Sequence, residues 1–356
     1  MSDVANRVHL VVGGADYSGW KSVSITAGID RLARDFTLSV THRWPGSEEM
    51  RRVAPGEGCK VFIGTDLVLT GFVDSTPILY DKEAVTVAVK GRSKTADLVD
   101  CSAVHESGQW KGRTIGKIVE SLVQNFGIKV VDEAKVPEPI PDHQLQPGET
   151  VFESIDRLLR LRSLLSTDDA DGNLVLTRAG SKKTSTDLVL GQNILTGKAP
   201  LDVTQRYHRY TVLGQQPGGG ARSRVEATEF DEEVPRRRNL TIVADGQPDL
   251  NTAIERATWE KVFRAGRSRQ AVYTVQGWRQ ADGTLWVPNR LVHVKDPIIG
   301  FDGELLITEV TYSLSEAGSI ATLTVAPKDA YELRLSKPKG KGRAEETLGT
   351  PKVEVD

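Results

Sequence analysis

The sequence predicts a mainly β protein, in which two similar small β-barrel domains are joined by an α+β insertion and α/β accessory segments. Three observations predict it. Short runs alternate apolar and polar residues with a period of two over both ends of the chain. The runs at the two ends follow one another in the same order. Between them the pattern changes to helical spacing. In the N-terminal set, Arg34–Val40 is followed by Pro55, Val61–Ile63, Leu69–Val73 and Val85–Val89. In the C-terminal set, Arg269–Val275 is followed by Pro288, His293–Lys295, Leu305–Val310 and Ala321–Val325. Pro55 and Val87 are 32 positions apart, and Pro288 and Leu323 are 35 apart, so the spacing as well as the order is shared. A chain with two like β-domains offers two equivalent surfaces to one partner, which points to assembly more than to catalysis.

Taken in order, residues 1–95 form the first β-barrel domain, with residues 200–215 a candidate to complete it. Val8, Leu10 and Val12, then Phe36, Leu38 and Val40, alternate with polar neighbours as half-buried strands do. Gly13-Gly14, Pro45-Gly46, Pro55-Gly56 and Gly71 mark turns or bulges between strands. Residues 96–200 are the inserted α+β domain. There Ile115, Ile118, Val119, Leu122, Val123 and Phe126 fall on one helical face that Gly127 closes, and Thr150–Glu153 has the spacing of a capping box. Asp171-Gly172 predicts a hairpin between Leu164-Leu165 and Leu174–Leu176. Residues 216–266 form a connecting region, with a loop at Pro217–Gly220 and a helix opening at Pro248-Asp249 that carries Ile254, Trp259, Val262 and Phe263 up to Gly266. Residues 267–333 form the second β-barrel domain, with hairpin turns expected at Asp282-Gly283 and Asp302-Gly303. The polar stretch 334–356 is expected to be a flexible tail.

Composition narrows the function classes. With 46 Lys and Arg against 48 Asp and Glu, the net charge of −2 lacks the basic excess of a protein whose main task is gripping nucleic acid. No apolar run reaches the ~20 residues that span a bilayer, so membrane insertion is not expected. The first residues carry Asp3, Asn6, Arg7 and His9, which break up any secretory h-region. Cys59 and Cys101 fit a reducing compartment or a pair of buried thiols better than a disulfide scaffold.

No constellation supports catalysis or a cofactor. Asp168–Asn173 lacks the twelfth-position Glu of a calcium loop and reads as a turn. Gly191–Lys198 has five residues between its glycines and Ala199 after its lysine, so it is no phosphate loop. His9, His42, His105, His143, His208 and His293 show no metal-ligand spacing, and no nucleophile elbow occurs. Glu106, Glu120, Glu149 and Glu153 are the carboxylates from which a glycosidase pair could be drawn, although Glu153 already has a capping role. The basic run Pro235–Arg238 follows Glu229, Asp231, Glu232 and Glu233, which cancel most of its field. The tryptophans, Trp20, Trp44, Trp110, Trp259, Trp278 and Trp286, form no stacking ladder and read as core or interface anchors. No catalytic, cofactor or metal residue is assigned, and the residues of any interface are left unknown.

Thr274–Pro297 and Asp302–Glu316, with Gly14–Trp20 and Gly148–Glu153, carry a resemblance that extends to about Tyr331. The chain resembles the tail baseplate hub proteins of Mu-like contractile phages, related in turn to the late control protein D family, the T-even phage hub and the valine-glycine repeat proteins of type VI secretion. The resemblance implies a structural, non-enzymatic homotrimer in the virion tail baseplate, assembled in the bacterial cytoplasm. Its partners would be the hexameric tail tube, a trimeric central spike and other baseplate proteins, with DNA passing through a central channel without specific binding. A tail-borne peptidoglycan hydrolase and a receptor- or carbohydrate-binding β module are the competing readings.

Overall fold

The computed structural model describes residues 4–41, 53–80, 82, 85–160, 162, 164–215, 224–244, 250–316 and 318–331, with backbone alone at Thr41 and Val85. His42, Trp44, Pro45-Gly46, Pro217–Gly220, Pro248-Asp249 and the 334–356 tail lie outside the described residues. The period-2 runs at the N-terminus form β1 (Val8–Val12), β2 (Ala15–Tyr17), β3 (Ser22–Gly28), β4 (Asp35–Thr41), β5 (Gly58–Ile63), β6 (Asp66–Ser75), β7 (Ile78–Tyr80) and β8 (Val85–Ser93). Leu10, Ile25, Leu38, Val61 and Leu69 are buried, so the alternation marks the core face. The strands pair in the order β2-β1-β5-β6-β8-β4-β3, with β7 added to β8. Gly13 and Gly14, at φ 55° and 79°, make the tight β1–β2 turn that only residues tolerant of positive φ allow. Gly71 has a different task. It lies inside β6, where a Cβ would fall 1.9 Å from the Arg92 carbonyl oxygen, so β8 can approach only a bare backbone.

The middle of the chain supplies α1 (Ala96–Asp100), β9 (Gln109–Arg113), α2 (Ile115–Val123), β10 (Val130–Asp132), β11 (Ile140–Gln144), α3 (Val151–Arg160), β12 (Leu165–Asp168) and β13 (Leu174–Thr177). Ile115, Ile118, Val119, Leu122 and Val123 of α2 pack with Val151, Ile155, Leu158 and Leu159 of α3 in one core. Gly127 closes the helical segment at φ 63°. At the α3 start the Thr150 N–H donates to Glu153 at 2.8 Å and the Glu153 N–H donates to the Thr150 hydroxyl at 3.1 Å, completing the capping box. The turn at Asp171-Gly172 joins β12 to β13 as an antiparallel pair.

Next come β14 (Leu188–Val189), β15 (Ile194–Lys198), β16 (Arg209–Gln215), β17 (Arg224–Phe230), β18 (Asn239–Val243) and α4 (Leu250–Arg267). Three sequence expectations change here. β16 does not complete the first barrel; it is the centre of a separate sheet, β17-β16-β18, covered by α4 through Val212, Val225, Ala227, Ala253 and Ala257. β14 and β15 belong with the C-terminal strands, so the insertion ends before residue 188 rather than at 200. Gly266, expected just past the helix, lies inside α4. Its inner face is Ala253, Ala257, Glu260 and Gly266. Small residues bring the helix close to its neighbours: a Cβ on Gly266 would meet that of Ala330 at 2.0 Å. The buried Glu260 is held by Arg256 and Arg264, one turn either side, each at 2.8 Å.

The C-terminal strands are β19 (Ala271–Gln276), β20 (Leu291–Asp296), β21 (Phe301–Ser315) and β22 (Gly318–Ala326). Asp302-Gly303 is not a turn. Both residues are paired within β21, Gly303 opposite Val294. The chain reverses instead at Pro297–Gly300, where Gly300 (φ 90°) donates to the Asp296 carbonyl at 2.9 Å and the Asp296 carboxylate accepts the Ile298 N–H at 2.9 Å. At Asp282-Gly283 a tight turn forms, closed by an isolated Arg279–Leu285 bridge.

The duplication is now explicit. β15-β19-β22-β21-β20 repeats the order of β3-β4-β8-β6-β5, every neighbouring pair antiparallel. Val40 pairs with Val87 as Val275 pairs with Ala321, and Leu38 pairs with Val89 as Tyr273 pairs with Leu323. The sequence echo is therefore in register at Val40 and Val275 but two residues out at Val85–Val89, whose counterparts begin at Ser319. The two modules are also one sheet. β21 outgrows its partner β20 and, past a bulge after Ile307, turns its free length (Glu309–Leu314) against β3.

Candidate assembly surfaces

The β3–β21 junction shows what one module edge accepts from another. Ile25 lies opposite Tyr312 and Val23 opposite Leu314, with Val23, Ile25 and Tyr312 buried on the core face. On the other face the Thr26 and Thr311 hydroxyls meet at 3.2 Å. The Tyr312 hydroxyl donates to the Trp286 carbonyl, and Trp278 Nε1 donates to the carbonyls of Ser313 and Ile320 at 3.1 and 3.0 Å. Burial pushes the Tyr312 phenol well above its ordinary range. Arg279 crosses between modules, donating to the Ala5 carbonyl at 2.8 Å and pairing with Asp66 at 2.8 Å. One cluster of buried side chains runs through both modules, from Val8 to Val325. The conjunction buries Trp278 and Trp286 almost fully, as anchors should be.

Several apolar side chains remain in solvent. All three residues of β7 are exposed: Ile78 by 51%, Leu79 by 68% and Tyr80 by 82%. Leu195, Leu201 and Val203 form a second exposed group along and just beyond β15, and Ile298 stands at the tip of the β20–β21 turn. Sequence reasoning named none of these. β7 is three residues long, too few to show a period.

Most of the residues weighed for chemistry are held in structural contacts. Glu149 accepts the Gln146 N–H at 2.7 Å and both its oxygens face Arg157 at 2.9 Å; Glu120 pairs with Lys117 at 2.7 Å; Glu106 is exposed. Asp169 holds its turn by accepting the Asn173 N–H at 2.9 Å. Asp168, beside it, is buried against Arg34 and is not a solvated turn residue. Gly191, at φ 82°, opens a turn that runs through Asn193, and the remainder of the rejected phosphate loop, Ile194–Lys198, is strand β15. His143 is buried with its Nε2 2.8 Å from the Ser154 hydroxyl, and burial pushes the imidazole down to about 4. Arg206 grips Asp231 at 2.6 Å and Glu233 at 2.7 Å, while Arg238 donates to the Val203 and Thr204 carbonyls and lies over Tyr207. That leaves Arg236 and Arg237 as the exposed part of the basic run. Cys59 is buried but Cys101 is exposed, so they are not a pair of buried thiols. Among the described residues no group of three or more His, Cys, Asp or Glu is placed to hold a metal ion, and no helix is long and apolar enough to cross a membrane.

Comparison with known proteins finds relatives among phage baseplate and tail proteins. Residues 7–93 match the family profile described as Mu phage baseplate assembly protein GpP-like, N-terminal. Residues 95–178 match the baseplate hub protein gp44-like second domain, and residues 250–334 the fourth domain of the Mu phage GpP protein. The baseplate hub protein gp44 of Escherichia phage Mu is 34% identical over 342 residues, covering 92% of this chain and 89% of that protein. The crystal structure of the 43 kDa tail protein of prophage MuSo2 from Shewanella oneidensis superposes with a TM-score of 0.84 at 36% identity, over 92% of this chain and all of the other. A tail protein from Neisseria meningitidis MC58, at 24% identity, has the same fold with a TM-score of 0.80 over 92% and 98% of the two chains.

Proposed function

The chain belongs to the baseplate hub proteins of Mu-like phage tails, and on that footing we propose that it works as a homotrimer adapting a hexameric tail tube to a trimeric central spike. Six like modules in a closed ring of three chains present six near-equivalent surfaces to the tube while keeping threefold symmetry for the spike. The observation that carries this is the repeated strand order, β3-β4-β8-β6-β5 and β15-β19-β22-β21-β20, with the two copies joined edge to edge through β3 and β21. The sheet strands would form the ring, and the inserted helices with the β17-β16-β18 sheet would form the cup that holds the spike.

The role in this reading is positional and not enzymatic. The chain would leave a channel through which DNA passes without specific binding, and it would be assembled in the bacterial cytoplasm with other baseplate proteins. The engagement of Glu149 by Arg157 and of Glu153 by the α3 cap supports the absence of a hydrolytic pair. The test is sedimentation and native mass measurement of the purified chain, alone and co-expressed with the tube and spike proteins. A species of three times 38.9 kDa, carried into complexes with both, is expected. A chain that stays monomeric and binds neither would overturn the proposal, as would release of soluble fragments from cell-wall sacculi.

A further inference from the structure

We propose that neighbouring copies of this chain are joined by β7 of one copy pairing antiparallel with β15 of the next, in the register Tyr80 opposite Gly197, Leu79 opposite Lys198 and Ile78 opposite Ala199. This rests on the ring reading above and specifies the contact that closes it.

The register follows from the duplication. Tyr312 lies opposite Ala321 on β22 as Ile78 lies opposite Val87 on β8, so Ile78, Leu79 and Tyr80 stand where Tyr312, Ser313 and Leu314 stand in the second module. Those three residues pair with Ile25, Ser24 and Val23 of β3. The counterpart of β3 is β15: Val23 lies opposite Leu38 as Gly197 lies opposite Tyr273, and Leu38 and Tyr273 are themselves equivalent. Within one chain, then, a β7-like segment already sits on a β15-like edge. The two remaining edges, β7 and β15, are the matching halves of a second such junction. Among the described residues no strand lies against the outer edge of β7, and the outer edge of β15 meets only a bridge from Leu190 to Ile194.

Three further observations fit. First, the face is right. Ile78 lies opposite Val87, which packs against the core, so Ile78 and Tyr80 are on the core face of the sheet. Ile78 is 51% exposed where its equivalent Tyr312 is 3% exposed, and Tyr80 is 82% exposed where its equivalent Leu314 is half-buried. Core-face side chains left in water mark a surface waiting to be covered. Second, the hydrogen-bond phase is right. The Ala88 N–H donates to the Pro77 carbonyl at 3.0 Å, so along this strand Ile78 and Tyr80 aim their own N–H and C=O groups away from β8, toward the open edge. Third, the prolines fall where they do no harm. The Ile29 N–H donates to the Thr308 carbonyl at 2.8 Å, and alternation from that pair makes Thr26–Thr311 a non-hydrogen-bonded pair. Its counterpart in the proposed junction is Pro200 opposite Pro77, where neither strand is asked to donate. The extended run ends at Leu201, whose φ is 45°, so the junction spans β7 and little more. Each copy would use β7 on one side and β15 on the other, a head-to-tail contact of the kind that closes rings.

The test is cysteine cross-linking in the full chain, with the exposed Cys101 replaced by Ser. Leu79→Cys with Lys198→Cys would occupy a non-hydrogen-bonded pair, where Cα atoms ~4.5 Å apart suit a disulfide. Leu79→Cys with Thr196→Cys is the control displaced by two residues, whose ~7–8 Å separation does not. Mild oxidation is expected to link the first variant into covalent dimers and trimers on a non-reducing gel, with the displaced pair linking at least about tenfold less. Trimers by sedimentation that fail to cross-link in the proposed register, or that link better in the displaced one, overturn this contact while leaving the trimer standing. Chains that remain monomeric with tube and spike proteins present overturn both.

Discussion

Arg34 donates through Nε to the carboxylate of Asp168 at 3.0 Å and through its backbone N–H to the same carboxylate at 3.2 Å, tying the first β module to the inserted domain across 134 positions of sequence. The guanidinium also reaches the carbonyls of Asp168 and Val68, both at 2.9 Å. With 1% of the Asp168 side chain and 17% of the Arg34 side chain exposed, removing one partner leaves the other charged and sequestered. Asp168→Asn should therefore destabilise the chain by about 3 kcal/mol or more, and Asp168→Leu with Arg34→Met should recover much of that loss. Thermal unfolding of the two variants beside the unaltered chain checks the order.

His143 makes the stability of the inserted domain pH-dependent. Burial first, and the Arg157 charge second, push the imidazole down to about 4, against the opposing pull of Glu149 and Asp142. The unfolded chain takes up its proton near pH ~6.5, before the folded one does. Stability is intact above that value and declines as pH falls toward 4, by ~3 kcal/mol from this group. His143→Asn should flatten the profile between pH 7 and 5 in calorimetry while lowering its plateau, since packing against Trp110 at 5.7 Å is lost.

The glycines divide by mechanism. Gly71→Ala would place a methyl 1.9 Å from the Arg92 carbonyl oxygen and should part β6 from β8, yielding insoluble or strongly destabilised protein. Gly14→Ala meets nothing within 4 Å and carries only the strain of φ 79°, about 1 kcal/mol. Expression and unfolding midpoints of the two variants side by side check the contrast.

The thiols should differ sharply in reactivity. Cys59 is buried and its thiol is pushed up to about 12, mainly by burial, whereas Cys101 is exposed. A maleimide should label the native chain once, at Cys101, and twice only after denaturation, as intact mass would report.

The strands that face one core were legible because Val8, Leu10, Val12, Phe36, Leu38 and Val40 alternate, and burial on one face demands alternation. The caps at Thr150 and Gly127 were legible because local hydrogen bonding decides them. Gly303 misled because a glycine beside aspartate has the composition of a turn, while Asp296 and Gly300 made the real one a few residues earlier. β9 and β11 were missed because Gln109–Arg113 and Ile140–Gln144 bury only Trp110, Ile140 and His143 between them. The switch of β21 from β20 to β3 is a tertiary event at a bulge, and nothing local to Thr308 announces it. For the same reason the exposed edge at Ile78–Tyr80 had meaning only once its counterpart, Tyr312–Leu314, was seen to be paired.

The central claim is that two fused modules per chain let three copies imitate six. The most direct measurement is a reconstruction by electron cryo-microscopy of the chain mixed with a tail tube protein, the partner proposed above. A ring of three chains, with six modules alternating around it and each junction built from paired strand edges, is the expected result. A ring of six chains, or modules separated by gaps with β7 and β15 both facing solvent, would contradict it.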